Sequence, residues 1–81
     1  FHAEGCGPCK MVSPILKSLK EEMGVSIKLI KIDVDKNQEI AAKYQIRGLP
    51  TLMIFKEGKL LWRQSGVVPI ENLRAEVNKY L

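Results

Sequence analysis

Apolar residues recur at helical spacing in the first third of the chain, between Cys9 and Met23. They lie on one face of the predicted helix, which comprises Val12, Ile15, Leu16, Leu19 and Met23. Pro8 suits a first helical turn, where its missing N–H removes no hydrogen bond, and Gly24 is typical of a helix stop. The pattern predicts a helix over Cys9–Met23, with a kink at Pro14, which lacks the backbone donor that a helix interior needs.

Three later stretches have the composition of β-strands. Val25–Val34 is rich in β-branched residues and predicts a strand that is buried on both faces. Thr51–Phe55 and Lys59–Ser65 flank the turn residues Glu57-Gly58, and Gly66 ends the second of them. These two stretches predict an antiparallel hairpin.

Two more helices are predicted. Asp35 begins a short one whose Asp35 and Gln38 are spaced like a variant of the capping box. Pro69–Leu81 is amphipathic, with Pro69 at its start. Its predicted buried stripe comprises Ile70, Leu73, Val77 and Leu81.

The order helix, strand, helix, hairpin, helix predicts an α/β fold. A strand, a helix and a parallel strand form a right-handed crossover, so a strand should precede the first helix, and only Phe1–Ala3 is available for it. Without that strand, an unpaired apolar sheet centre would face water. We therefore expect that the chain is trimmed at its N-terminus. If Phe1 is the true start, a molten or associated species is expected, which a sharp two-state melt and a monomeric mass would refute.

Composition restricts the classes of function. A chain of 81 residues predicts a single domain over residues 1–81, which buries only ~60–65% of the surface of its unfolded form. The net charge is +4, but the 13 Lys and Arg are interspersed with 9 Asp and Glu. A solvated basic surface is therefore favoured over a nucleic-acid interface, which would also need interleaved aromatic residues. No apolar run approaches the ~18 residues of a membrane span.

The only two cysteines, Cys6 and Cys9, lie in the run "EGCGPCK" of Glu4–Lys10. Residues three apart at a helix start have Cβ atoms ~5–6 Å apart, so small adjustments allow a disulfide. The N-terminus of a helix carries partial positive charge and free N–H groups, which favour a thiolate, most strongly at Cys6. Lys10 adds a nearby cation. Such surroundings lower the pKa of a cysteine thiol.

Other uses of the pair are disfavoured. A structural zinc site normally needs four ligands, whereas this chain offers two cysteines and His2. Haem attachment needs His directly after the second cysteine, where Lys10 stands. A structural disulfide over so short a loop would add little stability, and two inert buried cysteines would not explain the Gly7-Pro8 insert. A reversible redox dithiol is the favoured interpretation.

The runs "CGPCK" at Cys6–Lys10 and "IRGLPTLMIFKEG" at Ile46–Gly58, followed by Gly66, resemble the thioredoxin family. The run "KIDVDKNQEIAAKYQIRGLPT" follows the same pattern, so the resemblance covers essentially the whole chain. It implies a thioredoxin fold, an α/β architecture in which a central mixed β-sheet is flanked by helices. The N-terminal strand-helix-strand portion of that fold would be missing from this chain.

The resemblance also implies roles for individual residues. Cys6 resembles the family's attacking cysteine, and Cys9 resembles the resolving cysteine. Pro50 resembles the cis-proline that faces the cysteines, since an X-Pro bond lowers the cost of cis geometry. The backbone of Leu49 would then form a short edge for a substrate strand. The alternative is that Pro50 merely opens an edge strand.

Gly66, together with Gly7 and Pro8, would complete a flat apolar rim for protein substrates. A simple strand terminator is the alternative reading of Gly66.

The chain departs from the family pattern close to the cysteines. Gly5 stands where the family usually has Trp, and His2 replaces a second common aromatic residue. Histidine titrates near neutral pH, so His2 could tune the pair, although packing at a strand end is the favoured role. Trp62 is expected to pack on the outer strand. The buried Asp that assists the family's resolving cysteine would fall just before Phe1.

We therefore predict a thiol–disulfide oxidoreductase that reduces protein disulfides. The resemblance implies electrons from a thioredoxin reductase, disulfide-containing proteins as substrates, and neither a metal nor a bound organic cofactor. Nucleic acid is not an expected partner. Two alternatives stay open, a non-catalytic binding module and an extracytoplasmic reductant or isomerase with one partner. The cytoplasm is the expected compartment.

Overall fold

The computed structural model describes residues 1–81. Its elements are helix α1 (Gly7–Met23), a 3-10 turn (Gly24–Ser26), helix α2 (Gln38–Lys43), strands β1 (Thr51–Lys56) and β2 (Lys59–Ser65), and helix α3 (Ile70–Tyr80). The three predicted helices and the hairpin are confirmed. α1 starts at Gly7, two residues earlier than predicted, because Cys6 caps it. The helix includes Pro14, and the kink there stays a prediction.

The predicted strand Val25–Val34 is wrong. Its first two residues, Val25 and Ser26, belong to the 3-10 turn. Among the remaining residues, Asp33 forms a single parallel bridge with His2. The bridge consists of two hydrogen bonds of 2.9 Å, from the His2 N–H to the Ile32 carbonyl and from the Val34 N–H to the His2 carbonyl. A strand is defined by a ladder of backbone pairs, and only His2 pairs with this segment.

β1 and β2 form a two-stranded antiparallel sheet. Glu57 and Gly58 have φ values of 54° and 79°, the left-handed conformation that a two-residue hairpin turn of type I′ requires at both positions. The register shifts between Ile54 and Phe55, so that Ile54 lies opposite Trp62. This β-bulge adds one residue to β2 and changes every pairing beyond it.

The loop before α2 is held by a different aspartate from the one predicted. The Asp33 carboxylate accepts hydrogen bonds from the N–H groups of Asp35 at 2.8 Å and Lys36 at 3.2 Å. The side chain of Gln38 donates to the Asp35 carbonyl at 3.4 Å. The predicted capping box is therefore wrong. α2 begins at Gln38, and the side chain of Asn37, which occupies the N-cap position, makes no capping hydrogen bond.

The core lies between α1, α3 and β1. Its buried cluster comprises Val12, Leu19, Leu52, Val68, Leu73 and Val77. Trp62 packs against this cluster, as predicted, whereas Leu81 is 59% exposed and does not belong to the predicted buried stripe. An apolar cavity of about 790 Å³ adjoins the core, between α1, β1 and the segment 26–32.

Arg74 on α3 forms an ion pair with Glu22 on α1. Its Nε and one terminal nitrogen donate to the two Glu22 oxygens at 3.0 and 2.8 Å, in a bidentate arrangement. The hydrogen bonds from Arg74, followed by its charge, hold the pKa of Glu22 below its ordinary value. A carboxyl whose pKa is lowered by folding stabilises the fold above its unfolded pKa, and this contribution is lost as the pH falls through the folded pKa.

We predict that Arg74→Gln slightly lowers the melting temperature at neutral pH, because both groups are exposed and screened by water. The difference from wild type should shrink as the pH falls below 4.5, the ordinary pKa of the carboxyl. Thermal melts over a pH series measure this effect, with the exposed Lys17→Gln on α1 as the matched control. A difference that persists unchanged in acid would contradict the assigned cause.

Candidate active site

Cys6 and Cys9 form a disulfide at the start of α1, with their Cα atoms 5.3 Å apart. Cys6 is the residue that caps the helix, in extended conformation, and Cys9 lies in its first turn. Cys6 is half-buried, whereas Cys9 is only 6% exposed. The expected redox pair therefore has one partly exposed cysteine and one sheltered cysteine.

The helix start supplies a hydrogen-bond donor to the accessible sulfur. The Cys9 N–H donates to Cys6 Sγ at 3.1 Å, in the place where a capping side chain normally accepts. The Cys6 N–H in turn donates to the Ala3 carbonyl at 3.2 Å. A donor and the positive end of a helix directed at one sulfur favour its thiolate over its thiol.

The second element of the site is the loop before β1. The Leu49–Pro50 peptide bond is cis, as the resemblance implied. Pro50 is buried and Leu49 is half-buried. The Gly66 N–H donates to the Pro50 carbonyl at 2.7 Å, so Gly66 is fixed directly against the proline loop.

The structure brings several of the predicted residues together. Cys9, Pro50 and His2 all line the apolar cavity beside the core. His2 is half-buried and forms the backbone bridge to Asp33. The other predicted residues near the cysteines are exposed, namely Gly5, Gly7, Pro8 and Lys10.

Two groups of residues were missed by the sequence reasoning. Met11 and Val67 are 63% and 38% exposed, and each directly follows a predicted site residue, Lys10 or Gly66. Thr51 is completely buried behind Pro50, and its hydroxyl contacts both Gly48 and Ser65. The motif contains Thr51 directly after Pro50, but the pairing of Thr51 with Ser65 depends on the β-bulge in the hairpin.

No group of three or more His, Cys, Asp or Glu side chains is arranged to hold a metal ion. None of the helices has the length and apolar character that crossing a bilayer requires.

The sequence profile of the family described as "Thioredoxin" matches residues 1–79. The chain belongs to the thioredoxin family. Among curated thioredoxins, the one from Bacillus subtilis (strain 168) is 48% identical over 81 residues, which is all of this chain and 78% of that protein. The thioredoxin of Porphyra purpurea is 49% identical and is covered to 76%.

Solved structures of thioredoxins have the same fold. Fasciola hepatica thioredoxin superposes with a TM-score of 0.90 at 36% identity, over 100% of this chain and 76% of that one. A thioredoxin-2, described as a component of a malaria parasite's protein secretion machinery, gives a TM-score of 0.95 at 34% identity, over 99% and 78% of the two chains.

Family membership and the cysteine pair together define the activity. The chain is a thiol–disulfide oxidoreductase, and its substrates are proteins. Thioredoxins generally need no bound cofactor.

Gly66 is the site residue whose backbone most restricts substitution. Its φ is +94°, a conformation that glycine adopts at little cost but other residues resist. We predict that Gly66→Ala lowers the free energy of unfolding by about 1–2 kcal/mol. Gly5→Ala is the matched control, because a Cβ at either position meets no atom within 4 Å and only Gly66 has a positive φ. Denaturant unfolding measures both, and equal stabilities would show that the backbone at Gly66 relaxes freely.

Proposed function

We propose that residues 1–81 act as one domain that reduces disulfides in proteins, with Cys6 as the attacking and Cys9 as the resolving cysteine. The observation that carries the proposal is the hydrogen bond of 3.1 Å from the Cys9 N–H to Cys6 Sγ. It supports placing the stabilised thiolate on Cys6, the more exposed of the two cysteines. The reverse assignment would require the sheltered sulfur of Cys9 to meet a protein disulfide first.

The exchange proceeds in two steps that conserve atoms and electrons. The Cys6 thiolate attacks one sulfur of the substrate disulfide, which breaks that bond, forms a mixed disulfide and releases the other substrate sulfur as a thiolate. The Cys9 thiolate then attacks Cys6 Sγ, which releases the second substrate sulfur. The substrate gains two electrons and Cys6–Cys9 becomes the disulfide.

Substrate docking is assigned to the proline loop and its rim. The Leu49 N–H and carbonyl make no hydrogen bond within the protein, so both are free to pair with an extended substrate segment, as in strand addition. Pro50 shapes this edge, and Gly66 is fixed against it. Gly7 and Pro8 are exposed beside Cys6 and supply the other side of the rim.

Three residues are proposed to tune the reaction. Gly5 leaves the approach to Cys6 open, where the family usually has Trp. Lys10 places a cation on the first turn of α1, and His2 lines the same cavity as Cys9.

Electrons are proposed to come from a thioredoxin reductase, as the family implies, and the cytoplasm is the proposed compartment. An extracytoplasmic role with a single partner is the alternative, and a targeting segment or membrane anchor in the coding sequence upstream of Phe1 would favour it.

We predict that the protein catalyses the reduction of insulin by dithiothreitol, which is followed as turbidity from the released B chains. Cys6→Ser should abolish this activity, because no thiolate remains at the attacking position. Cys9→Ser, reduced beforehand and mixed with insulin after the dithiothreitol has been removed, should form a mixed disulfide that persists, which mass spectrometry detects as an insulin-chain adduct. Equal activity of Cys6→Ser and wild type would refute the mechanism, and it would favour a non-catalytic binding module.

A second experiment tests the electron donor. The oxidised protein should gain two thiols when it is incubated with a purified thioredoxin reductase and that enzyme's own reductant. Cys9→Ser is the control, since it cannot form the intramolecular disulfide that the reductase would reduce. If wild type gains no more thiols than this control, the proposed donor is wrong, whereas the insulin reaction with dithiothreitol would be unaffected.

A further inference from the structure

Two hydroxyl groups lie directly behind the proline loop. Thr51 is 0% exposed, and its Oγ1 donates to the Gly48 carbonyl at 2.6 Å. Ser65 Oγ lies 3.3 Å from the same Thr51 oxygen. Ser65 is the residue paired with Thr51 across the two-stranded sheet.

The direction of this pair of hydrogen bonds follows from the chemistry of a hydroxyl. Thr51 has one hydroxyl proton, and the short bond to the Gly48 carbonyl uses it. Ser65 must therefore donate to Thr51 Oγ1. The result is a relay from Ser65 to Thr51 to the Gly48 carbonyl, in which each bond polarises and strengthens the next.

The relay completes the immobilisation of the segment around Leu49. The carbonyl before Leu49 belongs to Gly48 and is held by the Thr51 hydroxyl, and the carbonyl after it belongs to Pro50 and is held by the Gly66 N–H. Leu49 itself has its N–H and carbonyl unused. The segment is thus anchored on both sides of the one residue whose backbone is available to a substrate.

We propose that the hydroxyls of Thr51 and Ser65 are positioning groups for substrate docking. They hold the segment Gly48–Pro50 so that the Leu49 backbone pairs with an extended segment of the substrate. This inference rests on the proposed docking role of Leu49. A strand pair depends on alignment within hydrogen-bond geometry, so looseness in this segment weakens the docking of protein substrates and leaves the sulfur chemistry unchanged.

The test compares a protein substrate with a small one. Thr51→Val keeps the shape and β-branching of the side chain but removes the hydroxyl, Thr51→Ser keeps the hydroxyl, and Ser65→Ala removes the first donor of the relay. Each variant is assayed with insulin and with 5,5′-dithiobis(2-nitrobenzoate), a disulfide that has no peptide backbone. KM and kcat are determined separately for both substrates, well below the melting temperature of each variant.

Thr51→Val is expected to raise KM for insulin about three- to tenfold, the effect of losing one or two hydrogen bonds, with kcat and the rate on the small disulfide unchanged. Thr51→Ser should be close to wild type, and Ser65→Ala should show a smaller increase. Adding Ser65→Ala to Thr51→Val should bring no further increase, because the relay is already broken. Gln64→Ala, the neighbouring position on β2, is the matched control.

The proposal is overturned if Thr51→Val changes neither KM, if it slows both substrates equally, or if Thr51→Ser fails to restore the insulin KM. Hydrogen exchange at the Gly66 amide gives a second readout that needs no turnover. Exchange should be faster in Thr51→Val than in Thr51→Ser, and equal exchange would also overturn the proposal. Failure of the proposed function itself gives a different result. In that case, wild type would react no faster than Cys6→Ser with insulin and with the small disulfide.

Discussion

The backbone of Thr51 pairs on both of its sides, and the geometry of the site depends on these pairs. On one side, its N–H donates to the Phe1 carbonyl at 3.2 Å, and its carbonyl accepts from the Phe1 nitrogen at 2.9 Å. On the other side lies Ser65 of β2. Phe1 is five residues before Cys6, and Pro50 is directly before Thr51. The backbone pair of Phe1 and Thr51 therefore sets how the cysteine turn and the proline loop are placed relative to each other. Both stay close to this pair, because only a short stretch of chain separates Cys6 from Phe1 and none separates Pro50 from Thr51.

The start of α1 has a structural role and a chemical role at the same position. A helix leaves its first N–H groups without partners inside the helix, and here the Cys6 sulfur accepts one of them. The same hydrogen bond that caps the helix also favours the thiolate form of Cys6. A thiolate accepts a hydrogen bond more strongly than a disulfide sulfur does, so opening the disulfide strengthens the cap.

The parts of the fold that local chemistry determines were predictable from the sequence, and the parts that depend on distant partners were not. The turn at Glu57-Gly58 was predicted from its residue types, but the bulge at Ile54 and Phe55 was not. Without the bulge, the turn register would place Gln64 opposite Thr51, and the hydroxyl pair would not form. The segment 25–34 has strand composition, yet a strand also requires a partner along its length. At the site, the motifs predicted the cysteines, the cis peptide and Gly66, whereas the relay behind Pro50 emerges only from the three-dimensional pairing.

The order in which the two cysteines react follows from their places on the helix, although they are the same residue type three positions apart. Cys6 lies ahead of the first turn, half-buried, with an N–H directed at its sulfur. Cys9 lies inside the first turn, lines an apolar cavity, and has no hydrogen-bond donor directed at its sulfur. Apolar surroundings disfavour a thiolate, so Cys9 is a weak nucleophile towards a distant disulfide. Once a mixed disulfide forms on Cys6, however, its sulfur is held within reach of Cys9, and proximity compensates for the low thiolate population. The burial that prevents Cys9 from attacking first therefore suits it to attack second.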